Sequence, residues 1–67
     1  MEIGKTISQL RKERKISQET LAKDLNIVRS TLACYETDRS HVPYELLVKI
    51  AKYFDVTTDY LLGLEDY

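Results

Sequence analysis

The chain has 67 residues, of which 43% are hydrophobic and 31% are charged, and its formal net charge is −1. This length allows one small domain and excludes a two-domain enzyme. No apolar run approaches the roughly 18 residues that span a bilayer, and the N-terminal residues lack the apolar stretch of a signal peptide. We therefore expect a cytoplasmic protein with no membrane partner.

Covalent or metal stabilisation is not expected. The sequence has one cysteine, Cys34, and one histidine, His41. A single cysteine forms no internal disulfide, and the pair falls short of a four-ligand zinc site. We predict no metal and no cofactor, so an apolar core has to stabilise the fold.

The charge is distributed unevenly along the chain. Residues 1–39 contain eight Lys or Arg residues against six Asp or Glu, whereas residues 40–67 contain two against five. A polyanion would be attracted to the first part and repelled by the second. An ordinary fluctuation of surface charge gives the same counts, so the charge pattern alone leaves both interpretations open.

Helical spacing of apolar residues dominates the sequence, which has only two glycines and one proline. Ile3, Ile7 and Leu10 predict a first helix over about residues 2–14. Ser17 is a suitable N-cap for a second helix over residues 18–25, and Asn26 tolerates the left-handed conformation that ends a helix. The sequence therefore predicts an all-α fold.

The third predicted helix has two different faces. At 100° per residue, a stripe centred on Val28, Leu32 and Tyr35, with Thr31 beside it, is expected to pack inward. The opposite face carries one charge and otherwise small or hydrogen-bonding side chains: Arg29, Ser30, Ala33, Cys34 and Thr37. Such a face is polar enough for water and small enough to lie against another molecule.

Two further helices complete the expected fold. Pro43 fits the first position of a fourth helix, whose apolar residues extend to Phe54. Thr57 is placed to cap a short fifth helix that stops at Gly63. Five helices with short connections are predicted.

The short connection between helices 2 and 3 matches the DNA-binding helix-turn-helix motif. The match becomes more specific because four segments of the sequence share the order and spacing of one family. They are Leu10-Arg11-Lys12-Glu13-Arg14-Lys15-Ile16-Ser17-Gln18-Glu19-Thr20-Leu21-Ala22, Arg29-Ser30-Thr31-Leu32 with Tyr35-Glu36, Leu47-Val48-Lys49-Ile50-Ala51, and Thr58-Asp59-Tyr60-Leu61-Leu62-Gly63. In this order they resemble the Cro and phage-repressor type, or xenobiotic response element, family of bacterial and phage helix-turn-helix regulators. The resemblance implies one domain over residues 1–67, a compact five-helix bundle of the lambda-repressor-like type with a core at about 3–63 and a tail at 64–67.

The resemblance also implies site residues. Helix 3, about residues 28–36, is the implied recognition helix, and the implied base-reading residues are Arg29, Ser30, Ala33 and Cys34. Contacts to the DNA backbone fall on Ser17, Gln18, Thr37, Arg39 and Ser40. Arg11 and Glu36 match positions that form a structural ion pair in related domains. An arginine can donate two hydrogen bonds to guanine, so we expect specificity to rest heavily on Arg29.

The implied function is that of a sequence-specific, double-stranded DNA-binding transcriptional regulator, a repressor that acts as a homodimer on a palindromic operator. The C-terminal stretch has more apolar side chains than a short helix needs for its own packing, and it is the expected dimer interface: Tyr60, Leu61, Leu62, Leu64 and Tyr67. The alternative is an antitoxin or adaptor module whose main partner is another protein. An enzyme is not expected, since no nucleophile and base pair, phosphate-binding glycine loop or metal cluster occurs. We expect no small-molecule pocket.

Overall fold

The computed structural model describes residues 3–64, and within this range the chain forms five helices and no strand. The helices are α1 (Ile3–Glu13), α2 (Gln18–Leu25), α3 (Arg29–Glu36), α4 (Tyr44–Phe54) and α5 (Thr58–Leu61). Helix α3 packs on α1 and α2, while α4 packs on α2 and α5, and α5 also contacts α1. The predicted all-α, five-helix fold is confirmed.

A single apolar core holds the helices together. Each helix contributes at least one fully buried or nearly fully buried side chain, and these include Ile7, Leu21, Leu32, Phe54 and Leu61. Leu32 of α3 has no exposed surface, and Tyr35, one turn further on, is 9% exposed. The inward face of α3 is thus fixed by burial, and its opposite face is left at the surface.

All five helices described between residues 3 and 64 end in the same way. The chain leaves each helix through one residue with a positive φ, and these residues are Lys15, Asn26, Asp38, Asp55 and Gly63. The N–H of the following residue then donates to the carbonyl five positions earlier, as in Ile27 N to Ala22 O at 2.9 Å. This is the Schellman motif, which satisfies carbonyls that a helix end would leave unpaired. The left-handed conformation predicted for Asn26 is confirmed.

The residue after the left-handed position commonly makes an apolar contact with the last turn of its helix. Ile16, Ile27 and Val56 occupy this position in three of the five motifs and pack against the core. The other two motifs differ. After α3 the residue is Arg39, which is exposed, and after α5 it is Leu64, which is 70% exposed. Neither Arg39 nor Leu64 is among the side chains that pack against the core.

Two expectations about helix starts are wrong. Helical spacing predicts that Val28 packs inward, but its side chain is 67% exposed. It lies at the N-cap of α3 with an extended backbone, ψ 142°, so the angular spacing of a helix does not yet apply to it. Pro43 likewise precedes α4 as its N-cap, with ψ 149°, and the helix begins at Tyr44.

Candidate nucleic-acid interface

Helices α2 and α3 and the turn between them form a helix-turn-helix. Ser17 caps α2 as predicted, since its hydroxyl oxygen accepts from the N–H of Thr20 at 3.1 Å. Asn26 turns the chain at the other end of α2, and α3 begins at Arg29. Leu21, Leu25 and Leu32 are buried between the two helices and the rest of the core, which fixes their relative orientation.

Helix α4 anchors the end of α2, where the turn begins. Lys49 Nζ donates to the carbonyl oxygen of Leu25 at 2.8 Å, and the hydroxyl of Tyr53 donates to Asp24 Oδ2 at 2.7 Å. The hydrogen bond to the Asp24 carboxylate raises the pKa of Tyr53 above its ordinary value, and some desolvation adds to the effect. The position of the turn therefore depends on a helix outside the motif.

A buried carboxylate joins the first three helices. Glu36, at the end of α3, accepts from Arg11 Nε at 2.8 Å and from Arg11 Nη2 at 3.2 Å. Arg11 Nη1 also donates to the carbonyl of Ile16 at 2.9 Å. Only 12% of the arginine side chain and 4% of the glutamate side chain are exposed. The structural ion pair that the resemblance implied is thus present.

Gln18 belongs to the same cluster. Its Nε2 donates to Glu36 Oε1 at 3.0 Å, so its side-chain amide is held against α3. No sequence pattern predicts this contact, because the two residues are 18 positions apart and lie on different helices. For the predicted contact to the DNA backbone, Gln18 keeps its main-chain N–H in the first turn of α2 and the second N–H of its side-chain amide.

The outer face of α3 forms a shallow depression of about 360 Å³. Five predicted DNA contacts line it together, namely Ser30, Ala33, Cys34, Thr37 and Arg39. Their side chains are small apart from the arginine, and the Thr37 hydroxyl donates to the carbonyl of Ala33 at 2.9 Å. The structure thus brings together three of the four predicted base-reading residues and two of the predicted backbone contacts.

The charges near this face favour an anion. Arg29, in the first turn of α3, and Arg39, after its last turn, are both exposed. Of the two nearby acids, Glu36 is buried against Arg11, and Asp38 accepts from the N–H of Gly4 at 2.9 Å. Both cationic side chains thus extend into solvent, whereas Glu36 is paired with Arg11, and Asp38, which is also exposed, accepts from the protein backbone.

Ser40 lies beside the depression rather than in it. Together with Ile3, Asp38, His41 and Val42 it lines a second shallow depression of about 290 Å³, formed by the loop after α3 and the start of α1. Ser40 is exposed. It remains available for a contact from the loop, next to Arg39, which lines the α3 face.

The predicted dimer surface needs one correction. Leu61 is only 1% exposed and belongs to the core, so it is not available to a partner. Tyr60 and Leu62 are partly buried against the core, and Leu64 is largely exposed. Tyr67 lies outside the described residues.

Within residues 3–64, no three His, Cys, Asp or Glu side chains are grouped so that they could hold a metal ion. In the same range, no helix has the length and apolar character needed to cross a membrane. Cys34 is partly buried on the outer face of α3.

Comparison with known proteins identifies the class. A model of the helix-turn-helix family matches residues 7–61, so the chain belongs to the helix-turn-helix family of Cro/C1 type, and the resemblance seen in the sequence is confirmed. The chain is 40% identical over 60 residues to the HTH-type transcriptional regulator YobD of Bacillus subtilis. That alignment covers 90% of the chain and 54% of YobD, and the chain spans about half the length of the curated relatives it matches.

Two solved structures are similar over nearly their whole length. The P22 c2 repressor, in complex with synthetic operator 9T, superposes with a TM-score of 0.88 at 26% identity, covering 97% of this chain and 98% of that one. The biofilm regulator SinR, in complex with DNA, superposes with a TM-score of 0.79 at 33% identity, covering 90% of this chain and 97% of that one. Both neighbours were solved bound to DNA.

Proposed function

We propose that this chain is the DNA-binding domain of a sequence-specific transcriptional regulator, and that it reads double-stranded DNA with α3 in the major groove. The observation that carries the proposal is the outer face of α3, where two exposed arginines flank a depression lined by small side chains. Two structural neighbours were solved in complex with DNA, which supports the same conclusion.

The chemistry of the face suits the major groove, which is wide enough to admit one α-helix. Arg29 is exposed in the first turn, where its guanidinium can donate two hydrogen bonds to the O6 and N7 atoms of one guanine. Ser30 can pair with any base, while Ala33 and Cys34 offer only apolar contact. Their low bulk lets the helix axis approach the bases closely.

Contacts to the phosphates come from two places. Arg39, Thr37 and Ser40 follow α3 and are exposed. At the start of α2, the main-chain N–H groups near Gln18 are oriented as donors to an anion. In three of the other four Schellman motifs, the residue that follows the left-handed position packs on the core. Arg39 occupies this position after α3 and is exposed instead, which supports a role in binding rather than in folding.

We propose that two copies act together on a palindromic operator. A single small domain makes few DNA contacts, whereas two recognition helices about 34 Å apart reach successive major grooves on one side of the duplex. Tyr60, Leu62 and Leu64 supply the proposed contact surface, with Leu64 the most exposed. Occupation of an operator that overlaps a promoter would repress transcription.

The experiment that tests the function is selection of bound duplexes from a random pool at about 150 mM salt, followed by sequencing. We expect an enriched inverted repeat. A pool that stays unenriched, with a protein that is folded by circular dichroism, contradicts the proposal and favours the adaptor or antitoxin alternative.

The salt dependence of binding then tests the phosphate contacts. For binding to the selected duplex, the logarithm of the affinity is expected to fall linearly with the logarithm of salt concentration, by about 0.9 per phosphate contact. Arg39→Ala should reduce this slope by about one contact. Lys52→Ala removes the same charge from α4, in the acidic part of the sequence, and should leave the slope unchanged.

A further inference from the structure

The start of α3 carries an exposed apolar side chain that the fold does not use. Val28 is 67% exposed, and among the described residues it is one of three large hydrophobic side chains left at the surface, with Tyr44 and Leu64. The buried stripe of α3 begins one turn later, at Leu32. Val28 therefore contributes little to the core of residues 3–64.

Val28 also lacks the capping hydrogen bond that a polar side chain at its position could accept. On α2 and α5 the N-cap residues are Ser17 and Thr57, and each side chain accepts from the N–H three residues later. Val28 is the N-cap of α3 and makes no such side-chain hydrogen bond. Valine is among the least favourable N-cap residues. A side chain that neither caps the helix nor packs in the core suggests a role outside the fold.

We infer that Val28 is a specificity-determining residue that contacts the methyl group of a thymine. This inference rests on the proposed function, in which the first turn of α3 enters the major groove. Val28 is followed directly by Arg29 and Ser30, both exposed, so the apolar group lies among hydrogen-bonding side chains at the tip of the helix. The 5-methyl of thymine is the apolar group that the base pairs present in that groove.

Through this contact Val28 would recognise a base that Arg29 does not. Arginine recognises the two acceptors of a guanine, whereas a branched aliphatic side chain gains by covering a methyl group and meets no such group on cytosine or guanine. Removing one buried methyl group costs about 0.8 kcal/mol, which corresponds to a change of about fourfold in affinity. Val28 would thus select thymine at one position of each half-site.

The test uses the duplex obtained by selection and replaces each thymine of a half-site, one at a time, by deoxyuridine. This change removes the methyl group and keeps the O4 acceptor. We expect one position at which the wild-type protein binds about fourfold more weakly. At that position Val28→Ala and Val28→Ser should bind the thymine and deoxyuridine duplexes equally.

The two variants separate binding from folding. Val28→Ser supplies an N-cap and should melt at a higher temperature than Val28→Ala, yet both should lose the response to the methyl group. An identical deoxyuridine effect in wild type and variants, or no sensitive thymine at all, overturns the inference while leaving DNA binding intact. Failure to enrich any duplex in the selection removes the proposed function and this inference with it.

Discussion

The carboxylate of Asp38 accepts a hydrogen bond from the backbone N–H of Gly4, 2.9 Å away and 34 residues earlier in the chain. Asp38 is the left-handed residue that ends α3, and Gly4 lies in the first turn of α1, which has no acidic residue of its own. A carboxylate at this point accepts from one of the N–H groups that a helix start leaves unpaired, and its negative charge interacts favourably with the positive end of the helix dipole. The end of α3 is thereby linked to the beginning of α1.

Asp55 and Asp38 provide a matched pair for testing this role. Both are aspartates with φ close to +60° at the end of a helix, a conformation in which glycine is less strained. Asp55→Gly should stabilise the protein by about 1 kcal/mol. Asp38→Gly relieves the same strain but removes the acceptor for Gly4, so we expect it to be neutral or destabilising in urea unfolding. Equal stabilisation by both substitutions would show that the hydrogen bond contributes nothing.

Gly4 itself should tolerate no side chain. A Cβ atom at this position would overlap the carbonyl oxygen of Tyr35 and lie 2.8 Å from the carbonyl carbon and oxygen of Glu36. Gly4→Ala should therefore destabilise the fold by about 1–3 kcal/mol, because α1 has to move away from α3. Helix propensity alone predicts the opposite sign, a gain of about 1 kcal/mol. Lys5→Ala, at the exposed next position, is the control, and chemical denaturation decides between the two signs.

Removing Arg11 should leave the Glu36 carboxylate buried without its cation. Arg11→Met is expected to cost about 3–5 kcal/mol of unfolding free energy, because an uncompensated buried charge is expensive. The double substitution Arg11→Met with Glu36→Leu should cost less than Arg11→Met alone, since it removes the charge as well as its partner. If the loss of unfolding free energy in the double mutant equals the sum of the losses in Arg11→Met and Glu36→Leu, the two side chains are not coupled.

Local patterns predicted the helices and most of their ends, because capping and left-handed conformations depend on one or two residues. Ser17 and Asn26 behave as expected for this reason. The orientation of Leu61 was not predictable, since a four-residue helix has too few apolar residues to define a face, and the surrounding core decides which side chain is buried. The contact of Gln18 with Glu36 joins separate helices, and sequence spacing contains no information about it.

Leu64→Glu tests the proposed dimer. If the exposed leucine is buried between two copies, a carboxylate there should weaken self-association by about 2 kcal/mol or more, which corresponds to a change of roughly thirtyfold or more. Tyr44→Glu is the control, because Tyr44 is 75% exposed on α4, away from the segment that follows α5, and the substitution adds the same charge. Sedimentation equilibrium without DNA measures both. A wild-type protein that stays monomeric at high concentration, or equal weakening by both variants, would contradict the proposed interface.

Substitution of Arg29 and of Arg39 should affect DNA binding in different ways, because Arg29 is expected to contact a base and Arg39 a phosphate. Arg29→Ala should cost about 1–3 kcal/mol on the selected duplex and relax the preference at one base pair of each half-site. Arg39→Ala should weaken binding to selected and unrelated duplexes by the same factor, since a phosphate contact carries no sequence information. Binding measured for both variants on a panel of single base-pair changes distinguishes the two roles. If Arg29→Ala also weakened every duplex equally, α3 would lie on the DNA in a different orientation, with its first turn on the backbone rather than in the groove.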